Sequence, residues 1–311
     1  MSPIAKRFVV YTVIVGEYDI IEQPLVIDER FDYVLFSDKP EGSKTMGVWQ
    51  VRHIPFTHKD PTRISRYPKM HPEVLFPQHL ASLYIDANLQ IIDQQVYDKC
   101  CSFYENGVDW GGITLPCPPH PDCIYDHSFW VLVEGLDYDG VVLKWCHKLR
   151  KEGYPRHNGI FENNVIFRIH NETCHRVNNL WWNSYCDYSR RDQLSLFYSF
   201  WRYPEIHFEP FLPKGVRAFD PDNSYFNHSY HKHRASETRT VKHGAMNHVR
   251  IRLYNVLLKK RDKWCSFFYS ISVLPVCIAK ALLFLWGVWG AVVYGPYIKY
   301  LTIKKRKRII I

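Results

Sequence analysis

The residues with the clearest chemical potential end an apolar run, Ser82-Leu-Tyr-Ile-Asp-Ala-Asn88. The run stops at Asp86, and Asn88, a second short side chain with an oxygen donor, follows two residues later. Hard cations such as Mg²⁺ and Mn²⁺ bind oxygen ligands and bind through one or two carboxylates plus phosphate groups. The spacing therefore predicts a Mn²⁺ or Mg²⁺ site at Asp86 and Asn88. An ordinary turn is the alternative, because Asp is a common turn former.

A basic segment precedes this run and contains four cationic or ionisable side chains: Arg63, Arg66, Lys69 and His71. The first three recur every third residue, which places them on one face of a helix or turn. Arg binds phosphate oxygens in a bidentate manner, so the segment predicts a site for a diphosphate. A solvated basic face is the alternative, and the two prolines of the segment favour a rigid loop over a helix.

Polar residues also follow the first two apolar runs of the chain. Gly16 permits close approach of the backbone to a ligand, and Tyr18 and Asp19 offer a ring to stack on a base and a carboxylate for a ribose. Asp38 ends the second run. We expect these four residues to contribute to the same ligand site. A plain turn between strands is the alternative reading of the segment around Gly16.

Two further segments carry candidate catalytic or binding groups. Asp192 stands at the predicted start of a helix, where the helix dipole favours a carboxylate. It is a candidate general base toward an acceptor hydroxyl, with Gln193 beside it, and simple helix capping is the alternative. Glu162, Asn163 and Asn164 form a polar turn before a strand and are candidates for hydrogen bonds to a hydroxylated ligand.

The elements that must position these residues alternate between strands and helices, which predicts an α/β fold with a mainly parallel sheet. Ligands of such sheets bind at the carboxyl ends of the strands, where Asp19, Asp38, Asp86 and Asn88 are expected. The predicted strands are 8–15, 31–38, 48–54, 81–86, 110–115 and 165–169. The predicted helices are 62–75, 94–105, two within 124–152 broken around Gly140, and 190–202.

Composition excludes several classes of protein. The chain has 311 residues, and its nine cysteines have no paired spacing, which excludes a disulfide framework or a zinc site and fits a reducing compartment. The motifs H-E-x-x-H and G-x-S-x-G and a Walker loop are absent from the sequence. The net charge of +9 is concentrated after residue 230.

The C-terminal part of the sequence has a different character. We predict a catalytic domain over 1–215, an irregular basic and His-rich linker over 216–263, and an apolar helical tail over 264–311. Residues 281–298 carry no charge and are flanked by basic clusters, which favours attachment to an anionic membrane surface at its cytoplasmic face. A single membrane span and a buried soluble helix are the alternatives. Because the basic clusters bracket apolar sequence, nucleic acid is not an expected partner.

Five blocks together resemble the glycosyltransferase-like domain family of plant mucilage-biosynthesis proteins and bacterial polysaccharide clusters, over about residues 8–205. The blocks are VYTVIVGEYD at 10–19, DYVLFSD at 32–38, RISRYPKMHPEVLFP at 63–77, SLYIDANLQI at 82–91, and ENNVIFRIHN through WWNSYCDYSRRDQLSLFY at 162–198. The resemblance implies a GT-A, Rossmann-like fold and transfer of a sugar from a UDP- or GDP-type donor to a glycan or lipid-linked acceptor.

Site residues follow from the same resemblance. It implies metal and donor binding at Asp86 and Asn88, and it matches Asp192 and Gln193 to the Arg-Asp-Gln block of the family. The basic segment of the family is matched by Arg63, Arg66, Lys69 and His71. Apart from the resemblance, His170 is a candidate for sugar or acceptor binding or for completing a metal site. The chain departs from the family at His127, where an acidic residue is expected, and at Asn88, where a second Asp is expected. The departure at Asn88 keeps open a second class of function, a catalytically silent, membrane-attached protein that binds nucleotides or carbohydrates.

Overall fold

The computed structural model describes residues 7–16, 19–39, 44–115, 122–220 and 223–229. Within these ranges the chain forms two compact units. The first consists of residues up to 124 together with residues 155–229, and the second consists of residues 125–154. All the strands, and nearly all the predicted site residues, belong to the first unit.

One sheet of eight strands forms the centre of the first unit, in the order β3-β4-β2-β1-β5-β8-β7-β9. Strand β5 pairs in parallel with β1, whereas β8 runs antiparallel between β5 and β7. The strands are β1 Phe8–Ile14, β2 Phe31–Ser37, β3 Thr45–Met46, β4 Trp49–His53, β5 Ala81–Ile85, β6 Leu89–Ile91, β7 Trp110–Leu115, β8 Ile160–Ile169, β9 Phe208–Pro210 and β10 Phe226–His228. Strands β6 and β10 form a separate antiparallel pair.

Helices flank this sheet, so the predicted class of a mixed, mainly parallel α/β fold is confirmed. The helices of the first unit are α1 Pro61–Met70, α2 Pro72–Leu75, α3 Gln95–Glu105, α6 Glu172–Asp187 and α7 Leu196–Arg202, with a 3₁₀ turn at Asp192–Leu194. Helices α4 Ile124–Glu134 and α5 Asp139–Lys151 account for most of the second unit. They are separated at Gly135, which has a φ of 65°, and not at Gly140, which lies inside α5.

The alternation of side chains along the strands decides which face carries the site. On one face, Phe8 and Leu83 join a core cluster that includes Tyr97 of α3. On the other face, the Tyr11 ring lies 5.1 Å from Phe76, beside α2, and 5.3 Å from Tyr84. The residue that continues the Tyr84 face beyond the end of β5 is Asp86. Its side chain therefore projects toward α1, the helix that contains most of the basic segment.

The basic segment forms a helix, not the rigid loop that its prolines favour. Asp60 caps α1 by accepting a hydrogen bond from Thr62 N at 3.0 Å, and Pro61 occupies the first helical position. Pro68 lies near the C-terminal end of the helix, so its missing N–H removes only one bond of the ladder. The helical spacing brings Arg66 and Lys69 to one side, as the sequence periodicity predicts.

Two of the differences between the structure and the prediction shape the site. Helix α6 is not among the predicted helices, although Asn171 caps it by accepting from Cys174 N at 2.8 Å. Strand β8 begins at Ile160, five residues earlier than predicted, so Glu162, Asn163 and Asn164 lie within the strand and not in a turn before it. All three are buried.

The first unit extends past residue 215. Ala218 and Phe226, in the predicted linker, belong to the core cluster, and β10 pairs with β6. The rest of the predicted linker, from residue 230, and the whole predicted tail lie outside the described residues. Within the described ranges, no helix is both long and apolar enough to cross a membrane. The six cysteines in these ranges are free thiols.

Candidate functional site

A buried lysine lies at the centre of the predicted site. The Lys69 side chain is 2% exposed, and its ammonium lies 2.8 Å from Asp192 Oδ2 and 3.7 Å from Asp86 Oδ1. The ammonium also lies 4.8 Å from the centre of the Tyr84 ring, a distance suited to a cation–π contact. The charge of Lys69 is thus directed at two carboxylates and an aromatic face, and it links α1, β5 and the 3₁₀ turn.

Asp192 faces two cations, because Arg66 Nε also lies 3.4 Å from Asp192 Oδ2. Burial alone would raise the pKa of Asp192, but the charges of Lys69 and Arg66 outweigh burial and hold this pKa well below its ordinary range. A carboxylate with such a low pKa is a weak proton acceptor at neutral pH. The geometry therefore suits Asp192 to fixing two cations.

Hydrogen bonds to backbone carbonyls fix the positions of Asp192 and Lys69. The Asp192 carbonyl accepts a hydrogen bond from Trp181 Nε1 at 2.8 Å. The Lys69 carbonyl accepts from Arg168 at 2.6 Å, and the Arg168 guanidinium also donates to Tyr11 Oη at 2.5 Å and to Asn178 Oδ1 at 2.8 Å. Arg168 is fully buried. It ties β8 to α1, β1 and α6 directly behind Lys69.

Asp86 is the more accessible carboxylate of the group, with its side chain 34% exposed. Tyr84 donates a hydrogen bond to Asp86 Oδ1 at 2.7 Å, and the Asp86 backbone N–H donates to the Asn164 carbonyl at 2.9 Å. Asn88 is buried, and its Oδ1 atom accepts no hydrogen bond from the described residues. Its Nδ2 atom donates to the Ser229 carbonyl at 3.3 Å.

These donors fit a hard divalent cation. A carboxylate and an amide oxygen are ligands that Mg²⁺ and Mn²⁺ accept, and the unpaired Asn88 Oδ1 has capacity for one. In the described part of the chain, no group of three acidic, His or Cys side chains gathers around Asp86. The protein would supply few ligands, which is typical of sites completed by water and substrate phosphates.

A row of buried polar side chains on β8 lies across from Asp86. Both side-chain amide atoms of Asn163, the Oδ1 atom of Asn164 and the Oε2 atom of Glu162 have no hydrogen-bond partner among the described residues. Asn163 also has a φ of 59°, in the left-handed region that residues other than glycine adopt infrequently. Buried polar groups are nearly always hydrogen-bonded, so this row calls for a specific explanation.

Glu162 contrasts with Asp192. Its Oε1 atom accepts from Arg217 Nε at 2.7 Å, and Arg217 N donates to Asp220 Oδ2 at 2.6 Å. Burial nevertheless raises the pKa of Glu162, against the opposing effect of Arg217. The nearby charge of Asp86 adds to this rise. Glu162 is therefore the stronger base of the two buried carboxylates.

Gln193 lies beside this row, because its Nε2 atom donates to the Glu162 carbonyl at 3.3 Å. The structure thus brings together nine of the residues predicted from the sequence: Arg66, Lys69, Asp86, Asn88, Glu162, Asn163, Asn164, Asp192 and Gln193.

Other predicted residues have contacts elsewhere. Arg63 donates to the Cys186 carbonyl at 2.7 Å, at the end of α6. The His71 ring stacks on Tyr67, with 4.4 Å between ring centres, and its Nδ1 atom lies 2.9 Å from the Tyr67 carbonyl. Arg63 and His71 thus contact Cys186 and Tyr67, whereas Arg66 and Lys69 contact Asp192.

The ends of β1 and β2 form a separate contact. The Asp38 carboxylate accepts from the Gly16 backbone N–H, with distances of 3.1 and 3.2 Å to its two oxygens. Gly16 has a φ of 66°, which explains why glycine is suited to this turn. Asp19 follows on the same loop, and Tyr18 lies outside the described residues.

His170 lies at the opposite end of the strand pair. In the register of β5 with β8, Ala81 faces Ile169, whereas Asp86 pairs with Asn164 at the other end. His170 lies six residues beyond Asn164 along the chain, which is about 20 Å at about 3.3 Å per residue, so it is far from Asp86. The His170 ring contacts the His79 carbonyl at 3.0 Å and Ser82 Oγ at 2.9 Å. His127, the departure from the family pattern, lies in α4 beside Trp130.

Three residues of this region were not predicted from the sequence: Tyr84, Arg168 and Arg217. Tyr84 has a recognisable signal, because it shares the strand face of Asp86. Arg168 sits within an apolar strand sequence, where a lone cation indicates a buried polar partner. Arg217 has no comparable signal.

Comparison with known proteins gives limited similarity. No protein-family model matches the chain, and its sequence matches no curated protein. Its structure is similar to the crystal structure of core-mannan synthase A from Aspergillus fumigatus, Mn/GDP form, with a TM-score of 0.38 and 10% sequence identity. The match covers 62% of this chain and 69% of that chain. At this level of similarity, function must be argued from the residues of the chain itself.

Replacing Asp192 by Asn tests the buried charge cluster. The substitution leaves Lys69 and Arg66 without their shared partner, and we expect the free energy of unfolding to fall by about 3–5 kcal/mol. Chemical denaturation measures this change. The exposed Asp187→Asn variant is the control and should stay within about 0.5 kcal/mol of the wild type. Equal stability of the two variants would show that the pair contributes little.

The pH dependence of stability tests the environment of His170. Burial, aided by the charge of Arg168, lowers the pKa of His170 to about 4. The unfolded chain therefore binds a proton at His170 that the folded chain does not bind between pH ~6.5 and 4. The free energy of unfolding should therefore decrease as the pH is lowered from ~6.5 to 4, by up to about 1.4 kcal/mol per pH unit for this group.

Denaturation of His170→Gln at a series of pH values isolates this contribution. The variant should show a shallower decline below pH ~6.5, because glutamine does not titrate. His53→Gln, at an exposed position at the end of β4, is the matched control and should keep the wild-type slope. An unchanged slope in His170→Gln would contradict the assignment.

Proposed function

We propose that the chain is a GT-A type glycosyltransferase that moves a sugar from a UDP- or GDP-type donor to a glycan or lipid-linked acceptor. The observation that carries this proposal is the position of Asp86. It is an accessible carboxylate at the carboxyl end of β5, beside the buried side chains of Lys69 and Asp192 and the partly exposed side chain of Arg66. Ligands of α/β sheets bind at this edge.

Arg66 is the side chain best placed to receive the diphosphate. Its side chain is 25% exposed, whereas that of Lys69 is 2% exposed and faces two carboxylates. Asp192 Oδ2 lies 3.4 Å from Arg66 Nε, and Arg66 Nη1 donates to Ser65 Oγ at 3.1 Å, which leaves Nη2 for a phosphate oxygen. Lys69 then has a different task, which is to orient Asp86 and to offset part of its negative charge.

Asp86 and Asn88 would hold a Mn²⁺ or Mg²⁺ ion through one carboxylate and one amide oxygen. Such an ion, when bound, offsets the charge that develops on the departing diphosphate. The cluster of Arg66, Lys69, Asp86 and Asp192 is close to neutral by itself, since two cations face two carboxylates. A bound divalent ion would therefore supply the net positive charge that this cluster lacks.

The reaction also needs a group that takes the acceptor proton. The acceptor oxygen forms a bond to the anomeric carbon, the bond from that carbon to the diphosphate breaks, and the acceptor proton is released. Asp192, the candidate predicted from the sequence, is occupied by Lys69 and Arg66. Glu162 Oε2 has no hydrogen-bond partner in the described chain, so we assign proton acceptance to Glu162.

Donor turnover tests the proposed activity. The full chain should release UDP or GDP from one member of a panel of nucleotide sugars in the presence of Mn²⁺ or Mg²⁺. Asp86→Ala should reduce this release by at least about a hundredfold, because it removes a group that stabilises the leaving diphosphate. Coupled detection of the released nucleotide measures the rate, and Asp187→Ala serves as the control.

The same experiment separates the second class of function. Asn88, an amide where a carboxylate is expected, is the feature that fits a silent binding protein. Tight binding of a nucleoside diphosphate without release from any sugar donor would favour that class. If the chain neither releases nor binds a nucleoside diphosphate, the diphosphate site itself is wrong.

We also propose that the C-terminal sequence attaches the enzyme to the cytoplasmic face of a membrane, near a lipid-linked acceptor. The apolar stretch 281–298 and the basic run 304–308 support this proposal. Replacing all five basic residues of 304–308 by Gln should weaken binding to vesicles that contain phosphatidylserine, at roughly 1 kcal/mol per residue near the surface. Vesicle co-sedimentation measures the change.

Vesicles of phosphatidylcholine alone are the control for the charge effect. The five-residue variant and the wild type should bind these neutral vesicles equally, through the apolar stretch. If the wild type binds neither type of vesicle, membrane attachment is wrong.

A further inference from the structure

Asn163 combines two unfavourable features at one position of β8. Its side chain is buried, with the residue 1% exposed, and neither amide atom has a hydrogen-bond partner among the described residues. Its backbone adopts a φ of 59°. Sparsely populated backbone conformations and unpaired buried polar groups persist where surrounding structure enforces them, and they cluster at ligand sites. A ligand that pairs both amide atoms explains why such a residue is retained.

The position of Asn163 relates it to the proposed donor site. The next residue, Asn164, accepts the Asp86 N–H through its carbonyl at 2.9 Å. Successive residues of a strand are about 3.3 Å apart. Asn163 lies between Asn164 and Glu162, the proposed proton acceptor, which must be close to the transferred sugar, so this sugar is the part of the donor assigned to Asn163.

The chemistry of an amide narrows the ligand further. A carboxamide carries an acceptor oxygen and donor N–H groups side by side. Two neighbouring sugar hydroxyls offer the complementary pair, one donating and one accepting. A carboxylate at this position would only accept, and it would add a third negative charge near Asp86 and Glu162.

We propose that the Asn163 carboxamide binds a vicinal diol of the transferred sugar, with Oδ1 accepting from one hydroxyl and Nδ2 donating to the other. This inference rests on the proposed function and identifies the part of the donor to which Asn163 binds. The residue is a specificity determinant, since a donor that lacks either hydroxyl leaves one amide atom unpaired.

Asn163→Gly is the informative variant. Glycine adopts a positive φ readily, so the backbone conformation is preserved while the carboxamide is removed. Asn163→Asp is a second variant of almost identical shape that loses the donor. Asn183→Ala, at an exposed position of α6, is the matched control. Calorimetric binding to the full chain, with Mn²⁺ present, would compare UDP with UDP-glucose and GDP with GDP-mannose.

We expect Asn163→Gly to lose only the part of the binding affinity that comes from the sugar. Wild-type protein and Asn183→Ala should bind the nucleotide sugar more tightly than the matching nucleoside diphosphate. Asn163→Gly should lose about tenfold of that preference, the equivalent of one hydrogen-bonded pair, and Asn163→Asp should lose a comparable part. Affinity for the nucleoside diphosphate alone should stay at the wild-type value in Asn163→Gly, which adds no charge.

Deoxy-sugar donors complete the test. Removing one of the two hydroxyls should weaken binding to the wild type and leave Asn163→Gly unaffected. If Asn163→Gly keeps the wild-type preference for the nucleotide sugar, the inference is overturned while the proposed function stands. If wild-type protein binds neither nucleoside diphosphates nor nucleotide sugars, both are overturned.

Discussion

The buried ammonium of Lys69 is the interaction on which the site depends. A charge removed from water is strongly unfavourable unless partners surround it, and here Asp192 and Asp86 do so at 2.8 and 3.7 Å. The same residue fixes the end of α1 through its carbonyl, which Arg168 holds at 2.6 Å. Because side chains and backbone groups of the chain itself make these contacts, Asp86 and Arg66 are positioned in advance, which is the condition for effective electrostatic stabilisation of a leaving group.

Two buried carboxylates acquire opposite properties from their surroundings. Asp192 faces Lys69 and Arg66, and their charges hold its pKa well below the ordinary range despite burial. Glu162 has Arg217 on one oxygen only, and burial raises its pKa. Environments that separate the pKa values of neighbouring acids are a general way to divide roles within one site. Here they assign Asp192 to positioning cations and Glu162 to accepting a proton.

Local patterns in the sequence predict the sheet and the position of Asp86 well, because apolar strand segments and their terminal polar residues are short-range features. Helix α6 is missing from the prediction, although the capping Asn171 and buried residues at helical spacing mark it. Local sequence patterns could not predict the contacts between distant parts of the chain. Arg168 meets Tyr11 across 157 residues, and Arg217 meets Glu162 across 55. The left-handed backbone of Asn163 likewise follows from its tertiary surroundings and not from its neighbours in sequence.

The most direct test of the proposed site is a crystal structure of the full chain with Mn²⁺ and a nucleoside diphosphate, using anomalous scattering to locate the metal. We expect an anomalous peak at bonding distance from an Asp86 carboxylate oxygen, with the diphosphate between that peak and the Arg66 guanidinium. Lys69 should keep its contact with Asp192. A metal and diphosphate bound away from Asp86, or a Lys69 ammonium that leaves Asp192 to bind phosphate, would contradict the central claim.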